Sequence, residues 1–130
     1  MNFLKKGFYI AMCGLDGCGQ TTQIGLLAQF LKEKGCQKMV ITKEPTDHQP
    51  IGNLIREILQ LKQVVDARVL QLLFAADRYA NQKEIVLLPA LLRNEVVLSD
   101  RCFLCSLAYG GLDLDMEWLW QINSQIQFPD

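Results

Sequence analysis

The segment Gly14-Leu15-Asp16-Gly17-Cys18-Gly19-Gln20-Thr21 constrains this chain more than any other, because of what stands on either side of it. Before it runs Phe8 to Cys13 (FYIAMC), an unbroken apolar stretch with aromatic and β-branched members, the pattern of a strand covered on both faces. After it, Ile24, Leu27, Ala28 and Leu31 recur at helical spacing until Gly35 supplies a stop. Strand, glycine-rich turn and helix in that order gather backbone amides at the positive end of the helix, a cradle for anionic oxygens. The spacing matches G-x-x-x-x-G-K-[ST] at every fixed position but one. Gly14 and Gly19 are expected to take backbone dihedrals that a Cβ would forbid. Gly17, Cys18, Gly19, Gln20 and Thr22 are expected to line the phosphates, and Thr21 to give its hydroxyl to Mg²⁺.

The exception is Gln20, where the pattern has lysine. Glutamine donates hydrogen bonds but brings no charge to the β- and γ-phosphates. A unit charge about 4 Å away, at an effective dielectric near 20, is worth roughly 4 kcal/mol before competing terms. Phosphoryl transfer is therefore expected to slow by about 10² to 10³, with binding less affected. At this point the plainer reading, a glycine turn that only connects two elements tightly, stays open.

The alternation continues along the chain. Met39 to Thr42 is a short second strand, and Ile51 to Leu61 is helical through Ile51, Leu54, Ile55, Ile58 and Leu59. A longer helical region from about Asp66 to Arg93 carries Val69, Leu72, Leu73, Ala76 and Tyr79 on one face, with a bend or break near Asn81 or Pro89. Val96 to Ser99 is a third strand with Asp100 at its carboxyl end, and Asp115 to Ile126 is a helix with Leu119, Ile122 and Ile126 inward. The one loop-rich stretch, Glu44 to Gly52, holds two of the four prolines and the single histidine, His48. This order implies one α/β domain over residues 1–130, a doubly wound parallel sheet with helices on both faces. The Val96 strand belongs between those at Phe8 and Met39, and ligands belong at the carboxyl ends. Three strands are few, and Phe128-Pro129-Asp130 reads as a loop toward a further strand beside Phe8 to Cys13. The sheet is thus expected to be incomplete on its C-terminal side, with an apolar edge open to pairing.

Composition excludes several other classes. With Lys+Arg 13 against Asp+Glu 14 the chain lacks the positive bulk to hold nucleic acid or an acidic membrane. The longest apolar stretch, Ile85 to Leu92, is interrupted by Pro89 and falls far short of a bilayer span. The run after Lys5 and Lys6 is too short for a secretory core. Five cysteines, an odd number without an export signal, point to reduced thiols and a cytoplasmic setting.

Four blocks in order resemble the thymidylate kinase family along nearly all of the chain. Gly14 to Gln23 looks like its phosphate loop, and Thr42-Lys43-Glu44-Pro45-Thr46 like its T-R-E-P segment. Leu73-Phe74-Ala75-Ala76-Asp77-Arg78 is similar to its L-F-A-A-D-R helix, and Asp100-Arg101 with Ser106-Leu107-Ala108-Tyr109 to its D-R-Y…S-L-A-Y block. The resemblance implies a P-loop NTPase-type fold and transfer of the γ-phosphoryl of Mg-ATP to dTMP, giving dTDP. It implies that Arg101 holds the dTMP phosphate, Arg78 hydrogen-bonds the thymine edge, Phe74 stacks on the ring and Ser106 lies by the base. It further implies that Tyr109 packs on the sugar, that Asp16 meets the 3′-hydroxyl and the metal shell, and that Asp100 joins Thr21 at Mg²⁺. Lys43 takes the place of the family's arginine, beside Pro45 on the substrate side, and Asp16, Gln20 and Arg101 carry the catalytic roles. A homodimer packed through helices is a further implication.

The chain departs from the family's pattern at Cys13, Cys102 and Gly110, which replace an acidic residue, a tyrosine and a polar residue. Gly17 leaves the loop without an arginine, so the transition-state arginine is expected from a lid beyond Asp130. Loss of such an arginine is worth about 10³ to 10⁵ in rate. Weak or lost turnover follows as an expectation, with a non-catalytic nucleotide-binding relic as the alternative. Plainer readings compete residue by residue: Arg78 as surface charge above a core aromatic, Asp100 with Arg101 as a structural ion pair, Tyr109 as a loop anchor. A zinc site of Cys13, Cys18, Cys102 and Cys105 is the rival from another class.

Overall fold

A computed structural model of the chain describes residues 6–47 and 49–130, so the expected loop position of His48 lies outside the described residues. Three parallel strands form its sheet: β1 (Phe8–Met12), β2 (Met39–Lys43) and β3 (Val96–Asp100), in the order β1-β3-β2. The expected central place of the Val96 strand is borne out. The register aligns Met12 and Lys43 with Asp100, so all three strands end at one level. The loops that leave these ends are the glycine loop, the Glu44-Pro45 segment and Asp100-Arg101, and the shared register brings them to one corner.

Helices cover both faces, as a buried parallel sheet requires. On one side, Ile24 and Ala28 of α1 (Gln20–Glu33), with Cys36, pack on Val96 and Leu98. Helix α1 stops at Gly35, whose φ of 93° lets its N–H and that of Cys36 reach back to the carbonyls of Lys32 and Leu31. On the other side, Leu87 and Ala90 of α4 (Leu87–Leu92) pack on Tyr9 and Val97. A third cluster, Phe103 and Leu107 with Leu119, joins α5 (Phe103–Gly110) to α6 (Met116–Asn123).

Three features differ from the sequence reading. Helix α2 (Pro50–Leu59) starts with its proline in the first turn, so the expected loop from Glu44 to Gly52 ends three residues early. The expected break after α3 (Ala67–Ala80) falls at Asn81, through one π-type turn (Asn81–Ile85), and not at Pro89. Pro89 sits in the first turn of α4, where its missing N–H has no intrahelical partner to lose. The apolar face of α3 is the outer one: Val69, Leu72 and Tyr79 are 44 %, 49 % and 47 % exposed, while Gln71, Asp77 and Arg78 are buried. Helix α3 is thus turned by Asp77 and Arg78, which find partners inside.

At the free edge of β1, the Asp130 N–H donates to the Tyr9 carbonyl at 2.9 Å and Asp130 Oδ2 accepts from the Tyr9 N–H at 2.8 Å. Asp130 therefore lies beside β1.

Candidate active site

The glycine loop rises from β1 and feeds α1 through Gly19, which is left-handed at φ 88°. No side chain caps α1, so its first amides are left to an anion or to solvent. Gly17 (φ 76°) and Gly19 carry the conformations that favour glycine, and a Cβ on either would meet open space. Gly14 is a correction to the sequence reading: it is absent from the left-handed region, and its constraint is contact, since a Cβ there would lie 2.5 Å from Cys18 Sγ.

At the end of β3 the Asp100 carboxylate takes two bonds from α1. Thr21 Oγ1 donates to Oδ2 at 2.6 Å, and Gln20 Nε2 donates to Oδ1. Thr21, having given its proton away, keeps its lone pairs for a cation, and Asp100 stands beside it as the anionic partner. That donor set, with uncapped amides above it, fits Mg²⁺ carried by a triphosphate. Gln20 is spent on Asp100, so its amide ties loop to strand where a lysine would bring charge. Gly17, Gly19, Thr22, Arg56, Arg101 and the Lys43-Glu44-Pro45 segment complete the lining of this cavity, about 430 Å³.

Arg101 follows directly and holds φ at 76°, a left-handed conformation that costs a non-glycine residue about 1–2 kcal/mol. Its N–H is tied to the Met12 carbonyl at 2.8 Å, and its guanidinium reaches Gly14 O at 3.1 Å and Asp16 Oδ1 at 2.5 Å. Its partner is therefore Asp16, and the side chain of Asp16 is 90 % exposed at the mouth. Lys43 pairs with Asp47 at 2.6 Å on the other side of the corner.

A second cavity, about 310 Å³, opens from Arg101 and Asp16. Pro45, Phe74, Arg78, Ser106 and Tyr109 all line it, so every residue assigned to the acceptor apart from Lys43 comes to one pocket. Arg78 is only 2 % exposed, which removes the surface-charge reading. Its Nε and NH2 donate to Glu44 Oε2 at 2.8 and 2.7 Å, NH1 to Asn123 Oδ1 at 2.5 Å and NH2 to Ser106 Oγ at 3.2 Å. Burial pushes the Glu44 carboxyl up from its ordinary range, and the Arg78 guanidinium opposes it.

A model of the thymidylate kinase family matches residues 13–130. A probable thymidylate kinase of Pyrococcus horikoshii is 44 % identical over 131 residues, covering 96 % of this chain and 62 % of the relative. A thymidylate kinase of Synechococcus is 40 % identical over 127 residues, covering 91 % and 60 %. Among solved structures, the thymidylate kinase of Ehrlichia chaffeensis superposes with a TM-score of 0.83 at 30 % identity, over 96 % of this chain and 72 % of that one. That of Candida albicans shares the fold, with a TM-score of 0.81 at 24 % identity over 96 % and 60 %. The chain belongs to the thymidylate kinase family. It spans about 62 % of the length of the Pyrococcus relatives it matches.

Within this thymidylate kinase fold, four residues matter that the sequence reading left unassigned. Glu44 and Asn123 hold Arg78. Asp77 accepts from Thr46 N–H at 2.8 Å and Thr46 Oγ1 at 2.5 Å, fixing the Glu44-Pro45 turn, whose peptide bond is cis. Arg56 donates to the carbonyls of Thr46 and Pro45 at 2.6 and 2.7 Å and lines the cavity at the glycine loop. Glu44 and Asp77 lay inside the quoted motif blocks, and that position was their available signal; Arg56 and Asn123 carried none.

The cysteines divide. Cys13 and Cys102 sulfurs are 3.3 Å apart, and this contact raises the Cys13 thiol and lowers that of Cys102. Hydrogen bonding to Cys13 and burial push Cys105 up. Cys18 stands apart against Gln20, and no group of three or more metal-binding side chains is placed around a common point among the described residues, which disposes of the zinc reading. No helix among them is long and apolar enough to cross a membrane.

Proposed function

We propose that this site binds ATP on the glycine loop and dTMP in the Phe74 cavity, and moves the γ-phosphoryl group to the dTMP 5′-phosphate. An acceptor phosphate oxygen forms a bond to the γ-phosphorus, the bond to the β,γ-bridging oxygen breaks, and ADP and dTDP leave. Mg²⁺ bound with ATP supplies charge neutralisation between the β- and γ-phosphates. An acceptor phosphate is already anionic near neutral pH, so the protein's work is alignment and not proton removal. The observation that carries this reading is Arg101, held in a left-handed backbone at the junction of the two cavities, where a phosphate on either side meets its planar fork.

In this proposal Thr21 and Asp100 hold Mg²⁺, and the amides from Gly17 to Thr22 hold the ATP phosphates. Phe74 stacks on thymine, Arg78 and Ser106 meet its edge, Tyr109 packs on the deoxyribose, and Asp16 meets the 3′-hydroxyl. Gln20 makes turnover slow. The bond from Gln20 to Asp100 favours the second reading, a nucleotide binder without turnover. The exposed apolar face of α3 supports a homodimer, and the composition a cytoplasmic setting.

A kinase assay on this chain and on Gln20→Lys, with dTMP, dUMP and CMP, tests the proposal alongside calorimetry. The expected result is dTMP-selective product that rises by about 10² to 10³ with lysine restored. Binding of dTMP without product in either form establishes the second reading. Absence of dTMP binding, or equal use of CMP, refutes both.

A further inference from the structure

We propose that Gln71 reads the N3–H edge of the pyrimidine base, from a position that Gly110 leaves open; this rests on the dTMP reading of the cavity. Gln71, Phe74 and Arg78 stand at i, i+3 and i+7 of α3, on the face turned inward. Gln71 is thus one turn before the aromatic ring and Arg78 one turn after it. The two are roughly 10 Å apart along the helix at about 1.5 Å per residue, room for a pyrimidine with a hydrogen bond on each flank.

Gln71 is 7 % exposed and lines the cavity. Its Oε1 is the one buried side-chain oxygen or nitrogen among the described residues that has no hydrogen-bond partner. A buried amide left in that state is costly, and an apolar residue of the same length avoids the cost. A ligand that completes the bond accounts for its presence.

The space it fills belongs to another residue's side chain. A Cβ on Gly110 would lie 3.0 Å from Gln71 Cδ and 3.1 Å from Nε2. A side chain at position 110, the pattern from which this chain departs, would press on that amide and on Leu119 Cδ2, also 3.0 Å away, and both would have to give way.

The chemistry of the lining says what that amide recognises. Arg78 only donates, and Ser106 Oγ already accepts from Arg78. Gln71 brings a neutral acceptor with no bond of its own, next to a donor on the same amide. Thymine and uracil present N3–H beside a carbonyl, which one amide satisfies with two bonds. Cytosine presents an unprotonated N3 and an amine, and its amine meets the donors of Arg78.

Calorimetric titration of the whole chain with dTMP, N3-methyl-dTMP and dCMP tests this, in the wild type and in Gln71→Met. The wild type is expected to bind dTMP about 10- to 100-fold more tightly than the N3-methyl analogue. In Gln71→Met that preference collapses through weaker dTMP binding, while the thermal midpoint holds or rises because an unpartnered amide is gone. A Gln71 that serves only structure shows the reverse, a lower midpoint with the preference intact, and overturns the proposal. So does a wild type that binds dTMP and its N3-methyl analogue equally, a result that needs no variant. A wild type that binds neither overturns the dTMP reading itself and this proposal with it.

Discussion

Arg78→Met strips the cation from a buried side chain and leaves Glu44, buried as deeply, facing no positive charge. Removing one partner of a buried pair costs about 3–5 kcal/mol when the other must stay ionised. Glu44 has a cheaper exit, because burial already pushes its carboxyl upward and a proton settles the charge. Protonation at pH 7 of a group whose ordinary value is 4.5 costs at most about 3.4 kcal/mol, at about 1.36 kcal/mol per pH unit. That is the ceiling on the carboxylate's share. Asn123 Oδ1 also loses its donor, adding about 1–3 kcal/mol that does not vary with pH. The sign follows from the raised carboxyl: its contribution is intact below the ordinary value and is lost as pH rises through the folded-state value. In the wild type Arg78 pulls the other way, so the dependence is weaker there. Urea unfolding of wild type, Arg78→Met and Arg78→Met with Glu44→Gln, at pH 5, 6 and 7, checks the reasoning. Arg78→Met is expected to lose about 3–6 kcal/mol at pH 7 and at least about 1 kcal/mol less at pH 5, and Glu44→Gln to abolish that difference. A loss that is equal at pH 5 and 7, or below about 1 kcal/mol, refutes it.

Arg101→Gly relieves a left-handed backbone worth about 1–2 kcal/mol while deleting the proposed phosphate fork. The thermal midpoint is expected to hold or rise and dTMP binding by calorimetry to be lost; a midpoint several degrees lower, about 1 kcal/mol or more, contradicts the strain argument. Among the thiols, Cys18 is exposed on the loop, whereas Cys36 and Cys102 are buried. Peptide mapping after brief iodoacetamide treatment is expected to find Cys18 labelled ahead of those two, and Mg-ATP to protect it; labelling unaffected by Mg-ATP places the nucleotide elsewhere.

What was legible in the sequence was whatever depends on local pattern. The unbroken run at Phe8, the helical spacing after Thr21 and the glycine between them determine strand, cradle and helix with little help from the rest of the chain. The central place of β3 was legible too, since the alternating strand-helix order implies a doubly wound sheet with the Val96 strand between the other two. Helix α5 escaped notice because its inward residues include Ser106 and Gly110, which carry no apolar period. For α3 the period pointed to the wrong side: Val69, Leu72 and Tyr79 share a helical face that is exposed, while Gln71, Asp77 and Arg78, polar and so invisible to an apolar period, are buried. The same local logic overstated Gly14, where the constraint is a sulfur four residues on and not a dihedral.

The reversal of α3 carries the last step. A helix buries Gln71, Asp77 and Arg78 while exposing leucine and valine only if the buried groups gain partners that the apolar ones could not replace. Asp77 gains Thr46 and Arg78 gains Glu44, so two of the three tie the helix to the turn after β2. That turn ends at the level of Asp100, and through the register of the sheet it meets the glycine loop. The cavity beside Phe74 is therefore tied to the glycine-loop corner by buried polar bonds, and among Gln71, Asp77 and Arg78 only Gln71 has a polar atom whose bond the protein does not supply. The helix proposed to read the base and the strand ends proposed to hold the phosphates are thus tied together by buried polar bonds, as the proposed in-line transfer between two nucleotides requires.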